Sequence, residues 1–280
     1  MRPNRIRNIE VLELADKFDQ TTANLSIELA NWLNATLSFT LIHSVIDKRI
    51  ERSNLKGIEK KPGEVSEIHS RKKKLDEIQQ ELLSLPLELG FDFLTLEDQN
   101  DIQSWLSVSS SQLIVISADL KDTAFGWSAS LISHIHRFSP AIVGIAPAKM
   151  EYANFHTLVV PYHFDSLSDE KLKVLKWFVE QMGLLVEFVH VVTSNDTQNN
   201  DELTEQMELA MDQIEAYFNN NLVKFYFPRS TNINEGVMTF LNSKSSYIVA
   251  FIDDFYKNAF LGKSLSNRML DPIDSLTLLI

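Results

Sequence analysis

The feature that most constrains this chain is a pattern that occurs twice, at residues 111–147 and again at residues 245–280. Each copy has an apolar run, a polar and aromatic loop, a short helical pattern that opens with a glycine and serines, and a second apolar run. Strand, loop, helix and strand in this order form half of a parallel α/β sheet. We therefore expect two copies of one α/β domain. The glycine and serines at the helix starts are Gly126, Ser128 and Ser130 in the first copy and Gly262, Ser264 and Ser266 in the second.

The rest of each half alternates apolar runs with helical patterns. Strands that alternate with helices predict a mostly parallel sheet with right-handed crossovers. A polar connector at residues 149–154 separates the halves, which predicts one domain at residues 1–148 and a second at 155–280. The apolar runs predicted as strands are 9–15, 37–45, 91–96, 113–116 and 141–146, then 158–162, 184–192, 222–227, 247–252 and 276–280.

Composition excludes several classes of function. A length of 280 residues allows two domains that each bury a core. The net charge of −12 argues against a nucleic-acid-binding surface, which needs positive potential. The chain has no cysteine, so disulfides, thiolate metal sites and cysteine nucleophiles are excluded.

Hydropathy predicts where the protein resides. No apolar stretch is long enough to predict a membrane-spanning helix. The first residues are basic, but the segment after them is too short and too acidic for the apolar part of a signal peptide. We therefore expect a cytoplasmic protein with neither a membrane nor a nucleic acid as partner.

Over nearly its whole length the chain resembles a tandem universal stress protein. The resemblance lies in the order of several motifs, found twice. They are a first strand ending near Asp16, an alanine- and leucine-rich helix at 23–30, the LVVPYHFDSLSDE segment at 158–170, and the glycine–serine segments followed by SPAIVGIAP or SLTLLI. The resemblance implies two five-stranded, parallel, nucleotide-binding-like domains of the adenine nucleotide alpha hydrolase-like type, with strand order 3-2-1-4-5.

The resemblance also implies that the fifth strands of the two domains pair and form a pseudo-dimer within one chain. Physical chemistry agrees, because the apolar segment 276–280 would otherwise be an unpaired strand edge, which invites aggregation. Pairing with 141–146 would satisfy both edges. Self-association of the chain through the same strands, and contact with an unidentified protein partner, are further expectations.

Members of the family that bind ATP have a Gly-x2-Gly-x9-Gly-(Ser/Thr) loop after the fourth strand. Here the two earlier glycines are absent and only the last remains, as Gly126 and Gly262. The resemblance nevertheless implies candidate cofactor-binding residues, with Asp16 at the acidic position beside the nucleotide. The simpler interpretation is that these serines cap helices and need no ligand, so we expect no cofactor, with ATP or AMP in the first domain as the alternative. The candidates are Asp16, Gly126, Ser128 and Ser130 in the first domain and Gly262, Ser264 and Ser266 in the second.

The sequence lacks the residue spacing that a P-loop, a histidine metal site or a nucleophile elbow requires. A P-loop would need a glycine where Lys257 stands. His134 and His136 are two residues apart, so on a helix they point in different directions and cannot share a metal. No Gly-x-Ser-x-Gly nucleophile elbow is present. We therefore predict no catalytic residue and no metal site.

Three functional hypotheses follow from the sequence. The first is a non-enzymatic stress-response protein that acts through dimerisation and partner contacts. The second is a nucleotide sensor or weak nucleotide hydrolase that uses Asp16 and the start of the Gly126 helix. The third is a different small ligand in the cleft at the carboxyl ends of the first and fourth strands, where open α/β sheets usually hold ligands.

Overall fold

The computed structural model describes residues 6–14, 19–43, 80, 89–95, 99–117, 120, 131–147, 155–164, 167–193, 200–218, 222–245, 247–252 and 275–280. The chain divides into two compact units. The N-terminal unit is Arg7–Ser139, and the C-terminal unit combines Met1–Ile6 with Pro140–Ile280.

The N-terminal unit has four described strands, all parallel, in the order β3-β2-β1-β4. On the central strand, Ile9 lies opposite Leu37 on one side and Leu113 on the other. The elements are β1 (Asn8–Leu14), α1 (Gln20–Leu33), β2 (Thr36–His43), β3 (Leu89–Thr95), α2 (Gln99–Val108), β4 (Leu113–Ile116) and α3 (Leu131–Phe138).

The C-terminal unit has six described strands in the order β5-β10-β9-β6-β7-β8. All neighbours run parallel except β5 and β10, which are antiparallel, with Thr277 opposite Ile145 and Leu279 opposite Val143. The elements are β5 (Ile142–Ile145), β6 (Thr157–Pro161), α4 (Asp169–Met182), β7 (Leu185–Val189), α5 (Asn200–Glu215), β8 (Val223–Tyr226), α6 (Ile233–Asn242), β9 (Tyr247–Phe251) and β10 (Thr277–Leu279).

The predicted mostly parallel α/β architecture is confirmed. Strand β5 belongs to the compact unit of the C-terminal half and pairs there with β10, and the five-stranded order of each predicted domain stays a prediction. The domain bounds 1–148 and 155–280, and the pseudo-dimer, stay predictions.

Side-chain caps determine where the helices begin. Asp19 caps α1, since its carboxylate accepts the N–H groups of Thr21 and Thr22 at 3.0 and 3.3 Å. Ser168 caps α4 in the same way. Two helices end in the left-handed conformation, α1 at Asn34 (φ 48°) and α4 at Gly183 (φ 64°).

The core lies between the helices and the sheets. Strands β4 and β9 are buried at every residue, as expected for parallel strands covered on both faces. Helix α1 buries Leu25, Leu29 and Leu33 at helical spacing, while Trp32 is half-buried.

Candidate functional site at the carboxyl end of β1

The predicted cofactor-binding residues all lie outside the described residues, so they stay predictions from the sequence. They are Asp16, Gly126, Ser128, Ser130, Gly262, Ser264 and Ser266.

The topology itself marks one place on the N-terminal unit. From β1 the chain passes to β2 on one side and later returns to β4 on the other side. In open α/β sheets, ligands bind outside the carboxyl ends of the strands at such a reversal. Strand β1 ends at Leu14 and β4 ends at Ile116. The described polar residues around this point are Glu13, Asp19, Thr22 and Ser117.

Glu13 is the central polar group of this site. Strand geometry places it on the same face of β1 as Val11, and both side chains are fully buried. Neither carboxyl oxygen has a hydrogen-bond partner among the described residues. Because buried polar groups in proteins are nearly always hydrogen-bonded, this carboxyl requires an explanation.

Burial changes the protonation of Glu13. Desolvation, followed by the negative charge of Asp19, raises the pKa of Glu13 from 4.5 to about 9. The backbone N–H of Asp19 and the hydroxyls of Ser117 and Thr22 lie close enough to lower the pKa somewhat, but none makes a well-aligned hydrogen bond. Glu13 is therefore uncharged at neutral pH.

The neighbours of Glu13 are engaged elsewhere. Asp19 accepts the Thr22 hydroxyl at 2.7 Å, in addition to the two N–H groups at the start of α1. The carbonyl of Ser117 accepts the N–H of Leu120 at 3.1 Å, and its hydroxyl oxygen lies 3.4 Å from the same nitrogen. The site is therefore rich in acceptors, and no described residue donates a hydrogen bond to Glu13.

Glu10, on the same strand, differs from Glu13 because its carboxylate has hydrogen-bond donors. Its carboxylate accepts the hydroxyls of Ser38 and Ser111, both at 2.9 Å, and that of Thr40. The lack of a donor is therefore particular to Glu13 and is not a general property of acids on β1.

The strand registers identify the matching position in the C-terminal unit. Ile9 lies opposite Leu113, and Leu158 lies opposite Ile248. Counting four residues onward from each pair aligns Glu13 with Tyr162 and Ser117 with Ile252.

Aromatic side chains fill that matching position. Tyr162 is fully buried, and its hydroxyl has no hydrogen-bond partner among the described residues. Its ring centroid lies 5.9 Å from that of Phe164, 5.6 Å from Phe188 and 5.8 Å from His190. Burial raises the pKa of Tyr162 well above its usual value. No carboxylate occupies this place, so the two units differ chemically at the same topological point.

His190 directly follows β7. It is buried, its Nδ1 lies 3.2 Å from the carbonyl oxygen of Tyr162, and its ring stacks on Phe164 at 3.9 Å. This histidine is therefore part of the packing around Tyr162.

Sequence reasoning missed Glu13 and Tyr162. The available signal was a single carboxylate within the apolar run VLELA, and a tyrosine in the corresponding run LVVPY. Burying a polar side chain in a strand costs free energy unless the side chain forms a hydrogen bond. Only the tertiary structure shows whether a hydrogen-bond partner is present.

Two further searches cover only the part of the chain that the structure describes. Within it, no cluster of three or more His, Cys, Asp or Glu side chains could hold a metal ion. Among the same residues, no helix has the length and apolar character needed to cross a membrane.

Comparison with known proteins identifies the fold. No protein-family model and no curated protein sequence matches the chain. A universal stress protein from Archaeoglobus fulgidus DSM 4304 is similar with a TM-score of 0.63 at 10% identity, over 99% of this chain and 96% of that chain.

Two structures from Pseudomonas aeruginosa are similar to the same degree. A functionally unknown protein of strain PAO1 has a TM-score of 0.61 at 11% identity, over 99% of this chain and 93% of that chain. A protein of strain UCBPP-PA14, provisionally named a universal stress protein, has a TM-score of 0.60 at 13% identity, over 99% and 94%. At these identities the likeness establishes a universal stress protein-like fold, and it does not transfer a ligand or an activity.

Proposed function

We propose that this chain is a cytoplasmic stress-response protein of the universal stress protein family that acts without catalysing a reaction, through strand-edge association and contacts with a protein partner. The full-length likeness to a universal stress protein fold supports the family. The observation that carries the mode of action is the antiparallel pairing of β5 with β10, in which Thr277 lies opposite Ile145.

The physical reason is that an edge strand presents unpaired N–H and C=O groups, and antiparallel pairing satisfies them. Strands β5 and β10 are both buried at every residue, so neither is exposed to solvent. A tandem chain of this kind would complete the pseudo-dimer internally and keep its outer surfaces for partners.

The test is survival of the source organism after deletion of the gene, under starvation, heat and oxidant. We expect reduced survival under at least one stress, with rescue by the wild type and not by Leu278→Pro, which removes a backbone donor from the middle of β10. Ser243→Pro, at the exposed C-cap of α6, is the control for a proline at a site outside the sheet. Unchanged survival under every stress, or steady turnover of ATP by the purified chain, would contradict the proposal.

The second candidate function is an adenine-nucleotide sensor, or weak hydrolase, that uses the first domain alone. The asymmetry between the units favours it, since the N-terminal unit keeps Glu13 and Ser117 at the strand ends where the C-terminal unit has Tyr162 and Ile252. Isothermal titration with ATP, ADP and AMP tests this candidate. The sensor hypothesis requires one nucleotide-binding site per chain, and Asp16→Ala should abolish binding to it. Micromolar binding by the wild type would contradict the expectation that no cofactor binds.

A further inference from the structure

A fully buried carboxyl group without a hydrogen-bond partner is costly. A buried polar group left without a partner loses its hydrogen bonds to water and gains none in the protein. Both oxygens of Glu13 are in this situation, at the point of the sheet where open α/β folds bind ligands. A ligand that bound at this point and donated hydrogen bonds to Glu13 would therefore remove the unfavourable free energy of its burial.

Among the residues that the structure describes, the charged groups around Glu13 are all acidic. On β1 itself the other titratable group is Glu10, and Asp19 stands at the start of α1, whose one titratable residue is Glu28. The residues of β4, and those of β2 up to Ile42, carry no titratable group. Arg7 precedes β1 at its opposite end, six residues from Glu13 and thus about 20 Å away along the strand.

We infer that the carboxyl end of β1 in the N-terminal unit is a binding site for a cationic nitrogen group, an alkylammonium or a guanidinium, held by Glu13 with Asp19 beside it. Such a group supplies N–H donors, which both oxygens of Glu13 lack.

Binding is coupled to release of a proton. A cation beside Glu13 favours the ionised carboxylate, so the neutral acid gives its proton to the solvent as the ligand enters, and total charge is conserved. Because burial raises the pKa of Glu13 to about 9, affinity should rise about tenfold per pH unit from pH 6 to pH 8, provided that the ligand stays protonated. An anion such as phosphate would instead be repelled by the negative charge of Asp19.

The C-terminal unit provides an internal contrast. At the matching positions Tyr162 and Ile252 offer no carboxylate. The inference therefore requires one cation site per chain and not two. It does not depend on the proposed function, because partner contacts by the strand edges need no ligand at β1.

The experiment is calorimetric titration of the whole chain with n-butylammonium and with n-butylguanidinium at pH 6.5, 7.5 and 8.5. n-Butanol, which has the same alkyl chain without charge, is the control ligand. Repeating each titration in buffers of different ionisation enthalpy measures the number of protons released. We expect one ligand per chain, close to one proton released below pH 8, and no binding of n-butanol.

Two matched variants assign the effect to a residue. Glu13→Gln keeps the shape but cannot ionise, so affinity for both cations should fall at least tenfold and proton release should vanish. Glu10→Gln changes an acid on the same strand whose oxygens are already satisfied, and affinity should be unchanged.

Absence of binding, binding without proton release, two sites per chain, or equal affinity in Glu13→Gln and wild type would each overturn the inference. If Glu13→Gln does not fold, as judged by far-UV circular dichroism, proton release and stoichiometry in the wild type decide it.

Discussion

The ammonium nitrogen of Lys244 lies 2.6 Å from Oε2 of Glu187 and 4.6 Å from the ring centroids of both Tyr226 and Phe240. The Tyr226 hydroxyl donates to Oε1 of the same carboxylate at 3.3 Å. Lys244 follows the end of α6, while Glu187 and Tyr226 belong to β7 and β8. One ion pair therefore connects the end of α6 to strands β7 and β8.

Removing the cation from this ion pair should lower the free energy of unfolding. The Glu187 side chain is 7% exposed, so Lys244→Met would leave a buried carboxylate without its cation, at a cost of about 3 kcal/mol. Urea unfolding measures the loss. Lys176→Met is the matched control, because Lys176 pairs with Glu180 at 3.8 Å on an exposed helix surface and should change stability by less than about 0.5 kcal/mol. Equal effects of the two substitutions would show that burial of Glu187 does not matter.

Glu13 should make stability depend on pH. Its folded-state pKa is raised from 4.5 to about 9, so the folded state binds the proton more tightly than the unfolded state. Stability from this group is complete below pH 4.5 and is lost as pH rises towards 9, at up to about 1.4 kcal/mol per pH unit. Glu13→Gln removes this dependence, and its stability relative to the wild type should increase between pH 5 and pH 9. Urea midpoints at one-unit pH intervals measure the slope, and parallel curves for the two proteins would refute the assignment.

Gly236 should not tolerate a methyl group. A Cβ atom at this position of α6 would lie 2.6 Å from Cγ1 of Val191 and 3.0 Å from Cβ of Ser230. Alanine favours a helix by about 1 kcal/mol over glycine, but overpacking costs about 1–3 kcal/mol. Gly236→Ala should therefore be destabilising by thermal unfolding. Combining it with Val191→Ala removes the clashing methyl groups, so the double variant should be more stable than the sum of the two single changes predicts.

Gly183 is limited by its backbone conformation, whereas Gly236 is limited by the space around it. Its φ of 64° is left-handed, yet a Cβ atom would meet nothing within 4 Å. Gly183→Ala should cost about 1 kcal/mol through backbone strain alone, and Gly183→Asn less, because asparagine tolerates this conformation. Thermal unfolding of the two variants tests the order. A more stable alanine variant would contradict the strain account.

Much of the architecture was predictable from the sequence. The run at 113–116 coincides with β4, and the other predicted strands agree with the described ones to within a few residues. Period-2 and period-3.6 patterns are local, so they identify elements without knowledge of their neighbours. Helix starts were less predictable, because Asp19 and the two threonines after it are all good caps and local sequence does not choose among them.

The sequence by itself determined the order of strands and helices and the mostly parallel α/β class, since these follow from apolar periodicity along the chain. Only the tertiary structure decided that β5 pairs antiparallel with β10, that Glu10 is satisfied by three hydroxyls, and that Glu13 has no donor among the described residues. The reason is that hydrogen-bond satisfaction depends on groups brought together from segments about a hundred residues apart, such as Glu10 and Ser111. Two glutamates three positions apart on one strand read alike in the sequence, and the packing around them gives each its own chemistry.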